Sequence, residues 1–286
     1  TGSTNGTWLT HPAFTFGTTE LNGIWVGKFE TGGTTTNLTV KPNVSSIINT
    51  SLGDFFNASR QQDTTYYANY GLLSNQIDTH VSKNTEWGLI TYFTNSIYGR
   101  YNDLNTCIAS GCEVWNNPTS NNITGCAGDA KITNYSTNCN VWNSTLGVNA
   151  SSTGNIYGIY DLSGGRWEYV MGTMKSSSGT FYQGSSGVVE PESKYYDSYT
   201  YGTATDDYSR HILGDATGEI MQMASPYGGW YNNYSSILAP AVEEGYWYMR
   251  GGCYLYNTTV EGIFSFYPYY DNAYAYGSFR LIMTAQ

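Results

Sequence analysis

The chain runs to 286 residues and 31.6 kDa, enough to bury one substantial core. Twelve Lys and Arg stand against 22 Asp and Glu, a net charge of -10, which excludes nucleic acid as a partner because phosphate binding needs clustered basic side chains. No run approaches the ~20 consecutive apolar residues of a spanning helix, so no membrane insertion is expected.

In chain order, residues 1–12 are polar and rich in Gly and Thr, and read as a linker arriving from an upstream region. The start at Thr1 rather than Met points to a removed leader, fusion partner or larger N-terminal portion. Phe14, Phe16, Ile24, Trp25, Val26 and Phe29 predict a strand pair turned at Leu21-Asn22-Gly23, where Asn-Gly supplies the positive φ of a tight turn. Ile47, Ile48, Leu52, Phe55, Phe56 and Ala58 recur on a rough helical period and predict a helix over Val44 to Gln61. A second helix is expected from Ser82 to Ser96 on Trp87, Leu89, Ile90, Thr91 and Phe93, with Ser82 or Asn84 as its cap. Residues 99–153 read as loop, and short aromatic strands parted by Gly-Gly, Ser-Gly or Pro turns follow to the end. The order implies a single α+β domain over 13–286: two helices, short antiparallel strands and much irregular loop.

Charged residues are only 12 % of the chain, against roughly 25 % in an ordinary domain. Ser and Thr together number 63, and eleven of 26 Asn lie in Asn-x-Ser/Thr, about twice the chance expectation. Both glycosylation and plain composition bias account for that excess, and either gives a surface of small hydroxyl and amide groups. For an exported protein the simplest cysteine pairing is Cys107–Cys112 and Cys126–Cys139, with Cys253 left single. Zinc is the competing reading, weakened because His11, His80 and His211 are scattered and none adjoins a cysteine pair. No metal is therefore expected. Asp206-Asp207 and Glu243-Glu244 are adjacent carboxylates that point apart on a strand, and no positioned nucleophile motif is present.

Several segments then carry a resemblance. They are Gly23-Ile24-Trp25-Val26-Gly27-Lys28-Phe29-Glu30, Lys83-Asn84-Thr85-Glu86-Trp87-Gly88, the run from Asn155 to Tyr169, Met249-Arg250-Gly251-Gly252, and Gly277-Ser278-Phe279-Arg280. In that order they resemble the formylglycine-generating-enzyme (sulfatase-modifying factor) domain, a variant of the C-type lectin fold, over about residues 14 to 283. The motifs supply large aromatic bodies for a loop-rich core, glycines for tight backbone, and Arg250 and Arg280 as candidates to pair with Glu168 or Asp161. The family's copper-binding cysteines fall here on Tyr256 and Glu261, and its calcium-holding asparagine on Gly165. A phenol and a carboxylate cannot make a two-thiolate copper site, so the resemblance implies the scaffold without the oxidase and no cofactor.

Between Tyr246 and Tyr276, nine of 31 residues are Tyr, interleaved with Asn, Asp and Ser. Tyr buries large area at low entropy cost while Asn and Ser adapt their hydrogen bonds, the chemistry of antibody paratopes. This tail resembles the variable region of retroelement-diversified proteins of phages and gut Firmicutes, which share the lectin-like fold. That resemblance implies a recognition region over about 246–280. Its exposed set is Tyr254, Tyr256, Asn257, Thr258, Ser265, Tyr267, Tyr269, Tyr270, Asn272, Tyr274 and Tyr276, bordered by Tyr246, Trp247 and Tyr248. The alternative is ordinary cross-strand packing, since Tyr195, Tyr196, Tyr199 and Tyr201 are as dense. The expected function is non-catalytic binding of a protein or glycan receptor, outside the cell, on a cell surface or on a virion. The chain would act alone, as a homo-oligomer or as part of a fibre. A pilus or filament subunit is the rival.

Overall fold

The computed structural model describes residues 1–286 other than 1, 2, 5, 6, 9, 74, 103–111, 177, 183, 185–187, 201–211, 218–233, 235–245, 256–260 and 286; of 3, 4, 7, 8, 64–70, 102 and 200 it describes the backbone. The architecture is mixed: two α-helices and several small sheets, mostly antiparallel. Among the described residues no helix is long and apolar enough to cross a membrane.

Within the first residues β1 (Ser3–Thr4) pairs with β2 (Thr7–Trp8). Next, β3 (Thr15–Phe16) pairs with β4 (Thr19–Glu20) around Gly17, whose φ of 65° a side chain would strain. This corrects the expected strand pair. The turn lies one hairpin earlier than Asn22-Gly23, and β5 (Ile24–Val26) leaves to pair with the end of the chain. A second hairpin joins β6 (Gly32–Thr34) to β7 (Asn37–Thr39).

Helix α1 spans Leu52–Tyr70, not 44–61. The Ser51 hydroxyl accepts from the Asp54 N–H at 3.1 Å and starts the helix there, while Gly71 ends it in the left-handed region. Upstream, Asn43 (φ 59°) and Asn49 (φ 54°) break any helical path. Ile47 instead lies extended, its N–H donating to Thr31 O at 2.9 Å, so its apolar side chain reaches the core without helical periodicity. Helix α2 (Asn84–Thr94) follows β8 (Ile77–Val81) and is capped by neither Ser82 nor Asn84. Its N-cap is Lys83, whose backbone N–H is taken by the Glu86 carboxylate at 2.7 Å.

The long connecting region carries β9 (Cys126–Ala127) and β10 (Asn140–Val141), paired antiparallel and joined by the Cys126–Cys139 disulfide. Cys112 is disulfide-bonded as well, and Cys107 lies outside the described residues.

The largest sheet has β11 (Trp167–Lys175) near its middle. On one side is β13 (Tyr246–Gly251), antiparallel to it, and then β14 (Gly262–Tyr270), antiparallel to β13; on the other are β12 (Asp197–Thr200) and β15 (Gly277–Phe279), both parallel to β11. Both faces are covered. Trp167, Tyr169, Met171, Trp247 and Met249 pack with Phe55, Leu52 and Phe279, while Val170, Met174, Tyr248, Phe264 and Phe266 pack with Trp87 and Ile90. Burial on two sides explains why these strands read as continuous aromatic and apolar runs rather than alternating ones. The final strand, β16 (Leu281–Ala285), lies between β5 and β8, so the first and last thirds of the chain close on each other. Arg280, just before it, makes the expected buried pair with Glu168, its Nε donating to Oε2 at 3.0 Å and its Nη2 to Oε1. Asp161 takes backbone N–H groups of Gly125 and Glu30 instead.

Candidate functional site

Strand β14 and the turn behind it bring the tail tyrosines together. The β13–β14 register sets Tyr246 opposite Tyr270 and Trp247 opposite Tyr269. Because side chains alternate along a strand, Tyr267 and Tyr269 share one face, packed on the cluster of Trp167 and Trp247. Tyr270, at the strand's end, turns to Tyr246: the rings stand 4.6 Å apart and their hydroxyls are hydrogen-bonded at 2.9 Å.

From there the rings form a belt. Tyr269 stacks on Tyr274 at 4.2 Å, Tyr274 meets Tyr276 edge-on at 5.4 Å, and Tyr276 reaches Tyr254 at 6.4 Å. Branches run through Tyr267 to Tyr234 and through Tyr254 to the exposed Tyr135. Such offset and edge contacts each add about 0.5–1.5 kcal/mol beyond area burial.

The backbone beneath is anchored by segments remote in sequence. The buried Tyr169 hydroxyl donates to Tyr270 O at 2.7 Å, and burial pushes its ionisation far above the ordinary phenol range. Leu52 N–H donates to Asp271 O, Asn49 N–H to Tyr274 O and Trp167 N–H to Tyr276 O. A turn tied at several points holds its backbone in place whatever side chains it carries.

The expected recognition residues divide accordingly. Tyr270 and Asn272 are exposed; Tyr267, Tyr269, Tyr274 and Tyr276 are half-buried within the belt. Tyr254 is buried, and Ser265 is fully buried in the middle of β14, so neither side chain is offered to a partner. Trp247 and Tyr248 are core. Tyr256, Asn257 and Thr258 lie outside the described residues. Sequence reasoning missed Tyr135, Tyr234 and above all Arg166, whose guanidinium lies 4.7 Å from the Tyr254 ring and 5.4 Å from the Tyr276 ring. Its place directly after the Gly164-Gly165 pair, beside Trp167, was the available signal.

Two sets of buried acids flank the region. Burial raises Glu168 to about 7 against the pull of Arg280, and Glu30, also desolvated and facing Asp161 and Glu168, is driven well above the carboxylate range. Burial likewise lifts Glu261 to about 8, with Asn116 donating to it. Among the described residues, no group of three or more His, Cys, Asp or Glu is arranged to hold a metal ion. Cys253 is a free, buried thiol whose ionisation burial pushes up to about 12, so at neutral pH it is an inert apolar filler. No protein-family model matches the chain, and no curated protein matches it either.

Proposed function

We propose that the protein is a non-catalytic recognition module of the C-type lectin type, similar to retroelement-diversified variable proteins, and that it acts outside the cell. The observation that carries this reading is the tyrosine belt on an anchored turn. It combines large aromatic area and phenol hydroxyls with an exposed edge at Tyr270 and Asn272. Aromatic anchors of this kind dominate binding energy when a partner desolvates them. Rigid backbone beneath them lowers the entropy that a partner must overcome. The Cys126–Cys139 disulfide fits an oxidising compartment. A surface receptor, protein or glycan, is the partner class.

The test uses the labelled full chain on a panel of bacterial cells and on a glycan array. Tyr270→Ser combined with Asn272→Ala removes the exposed edge of the belt together with the Tyr270–Tyr246 ring contact, so the melting temperature should fall by only a few degrees while binding, measured well below it, falls at least tenfold. Unchanged binding would remove the belt from the function. Diversification has its own test, sequencing of the gene's 3′ flank in sister isolates. A near-identical repeat differing at adenines supports it, and an invariant tail without a repeat refutes it.

A further inference from the structure

Among the described residues three arginines are buried: Arg166, Arg250 and Arg280. Two are fully occupied. Arg280 serves Glu168 and the carbonyls of Gly27 and Tyr160, and Arg250 serves Asn84 and the carbonyls of Ser265, Asp215 and Ala216. Arg166 is different. Its residue is 4 % exposed, its Nη2 donates to Ser120 O at 3.3 Å, and its Nε and Nη1 are buried without a hydrogen-bond acceptor. Among the described residues no carboxylate stands within ion-pair distance of it. Instead the guanidinium sits against the rings of Tyr254 and Tyr276, and the neutral Cys253 thiol, a weak acceptor, lies within its hydrogen-bonding reach.

The stereochemistry of the group defines what it can take. A guanidinium has two edges, Nε with one Nη2 hydrogen and Nη1 with the other. Ser120 occupies one Nη2 hydrogen, so one edge keeps both its N–H groups. Two parallel N–H groups match a planar carboxylate. A buried, unpaired donor also destabilises the free protein, and an incoming acceptor relieves that cost. One isolated cation in a chain of net charge -10 does not suit a polyanion, which needs clustered charge. Next to the guanidinium lie two tyrosine rings, aromatic bodies of the kind on which the C–H face of a sugar packs.

We propose that Arg166 receives the carboxylate of an acidic sugar, whose ring seats against Tyr254 and Tyr276. Tyr276, half-buried on the turn before β15, swings outward to admit it. The inference rests on the belt being a recognition face, and it names the ligand chemistry of one end of that face.

The experiment is a calorimetric titration of the full chain with methyl β-glucuronide, with methyl β-glucoside as the neutral analogue and N-acetyl-aspartate amide as the peptide-like carboxylate. The glucuronide should bind at least tenfold more tightly than the glucoside, as expected for a charged bidentate contact. Arg166→Met should abolish that preference while leaving the melting temperature unchanged or raised, because it removes unpaired donors. Arg166→Lys keeps the charge but not the fork, and should weaken the glucuronide about tenfold. Equal binding of the two sugars overturns the proposal, and so does glucuronide binding that survives both substitutions. Tighter binding of the aspartate derivative overturns the sugar assignment. The Tyr270→Ser, Asn272→Ala protein should retain the glucuronide. If the glucuronide fails to bind while that double variant loses its cell or array target, this inference falls and the recognition face stands.

Discussion

Replacing Glu261 by Gln should stabilise the protein at neutral pH and do almost nothing in acid. Glu261 is 8 % exposed and hydrogen-bonded by Asn116, and burial raises its carboxyl from 4.5 to about 8. A carboxyl raised on folding gives stability that is fully present below 4.5 and is lost as pH climbs through 8. Each pH unit between those values costs about 1.4 kcal/mol, so at pH 7 the native state has given up ~3 kcal/mol to the unfolded chain, where the acid ionises freely. Gln has the same shape, keeps an oxygen for Asn116 and never ionises. The assay is urea unfolding followed by tryptophan fluorescence at pH 4 and pH 7, with the m-value checked for constancy. Glu261→Gln should gain ~3 kcal/mol at pH 7, roughly 6 °C or more in Tm, and less than about 0.5 kcal/mol at pH 4. A loss of stability at pH 7, or an equal effect at both values, would mean that the side chain is charged and paired in the native state, and the burial argument would fail.

The fully buried His80 gives a second pH signature: burial alone lowers its pKa, but Glu86 at 3.0 Å and Asp78 at 3.3 Å hold it above 6.5, and both acids are lowered in return against their own burial. Stability from His80 is complete below 6.5 and lost as pH rises through its folded value, while that from Glu86 and Asp78 is complete above about 4.5 and lost as pH falls. The network should therefore hold best between about 4.5 and 6.5, and Glu86→Gln should flatten the alkaline decline in a pH series of Tm values. Cys126→Ser with Cys139→Ser opens a loop of sequence separation 13 and should cost ~3 kcal/mol in urea unfolding. Gly88→Ala raises helix propensity in α2 yet drives a Cβ to 2.1 Å from Gly214 O, so it should destabilise by several kcal/mol; a rise in Tm would refute that close packing.

Much of the scaffold can be read from local chemistry. Helix α2 announces itself through the Trp87, Ile90, Thr91 spacing and Glu86 three residues after its cap, and the Arg280–Glu168 pair follows from scarce arginines near buried aromatics. Cys126–Cys139 follows from proximity in sequence. These features depend on residues close in sequence, or on residue types that tolerate few environments. Helix α1 starts later than the apolar pattern predicts because Ile47 and Ile48 carry an apolar signal with no period of their own, and Asn43 and Asn49, at positive φ, donate their N–H groups to Thr124 O and Tyr274 O.

The recognition face shows the other limit. Tyrosine is apolar in body and polar at its tip, so neither composition nor alternation says whether a given one is core, belt or surface. Ser265 and Tyr270 look equivalent in a Tyr- and Ser-rich tail, yet one is fully buried between Phe264 and Phe266 and the other is exposed at the end of β14. What separates them is their place in the packed sheet, Ser265 in the covered middle of β14 and Tyr270 at the end of the strand opposite Tyr246, which depends on how β14 pairs and on what covers it. The same holds for Arg166. Sequence places an arginine beside Trp167 like many others; folding alone brings Tyr254, Tyr276 and Ser120 around it and leaves its Nε and Nη1 without an acceptor, because burial and hydrogen-bond supply belong to the packed chain as a whole.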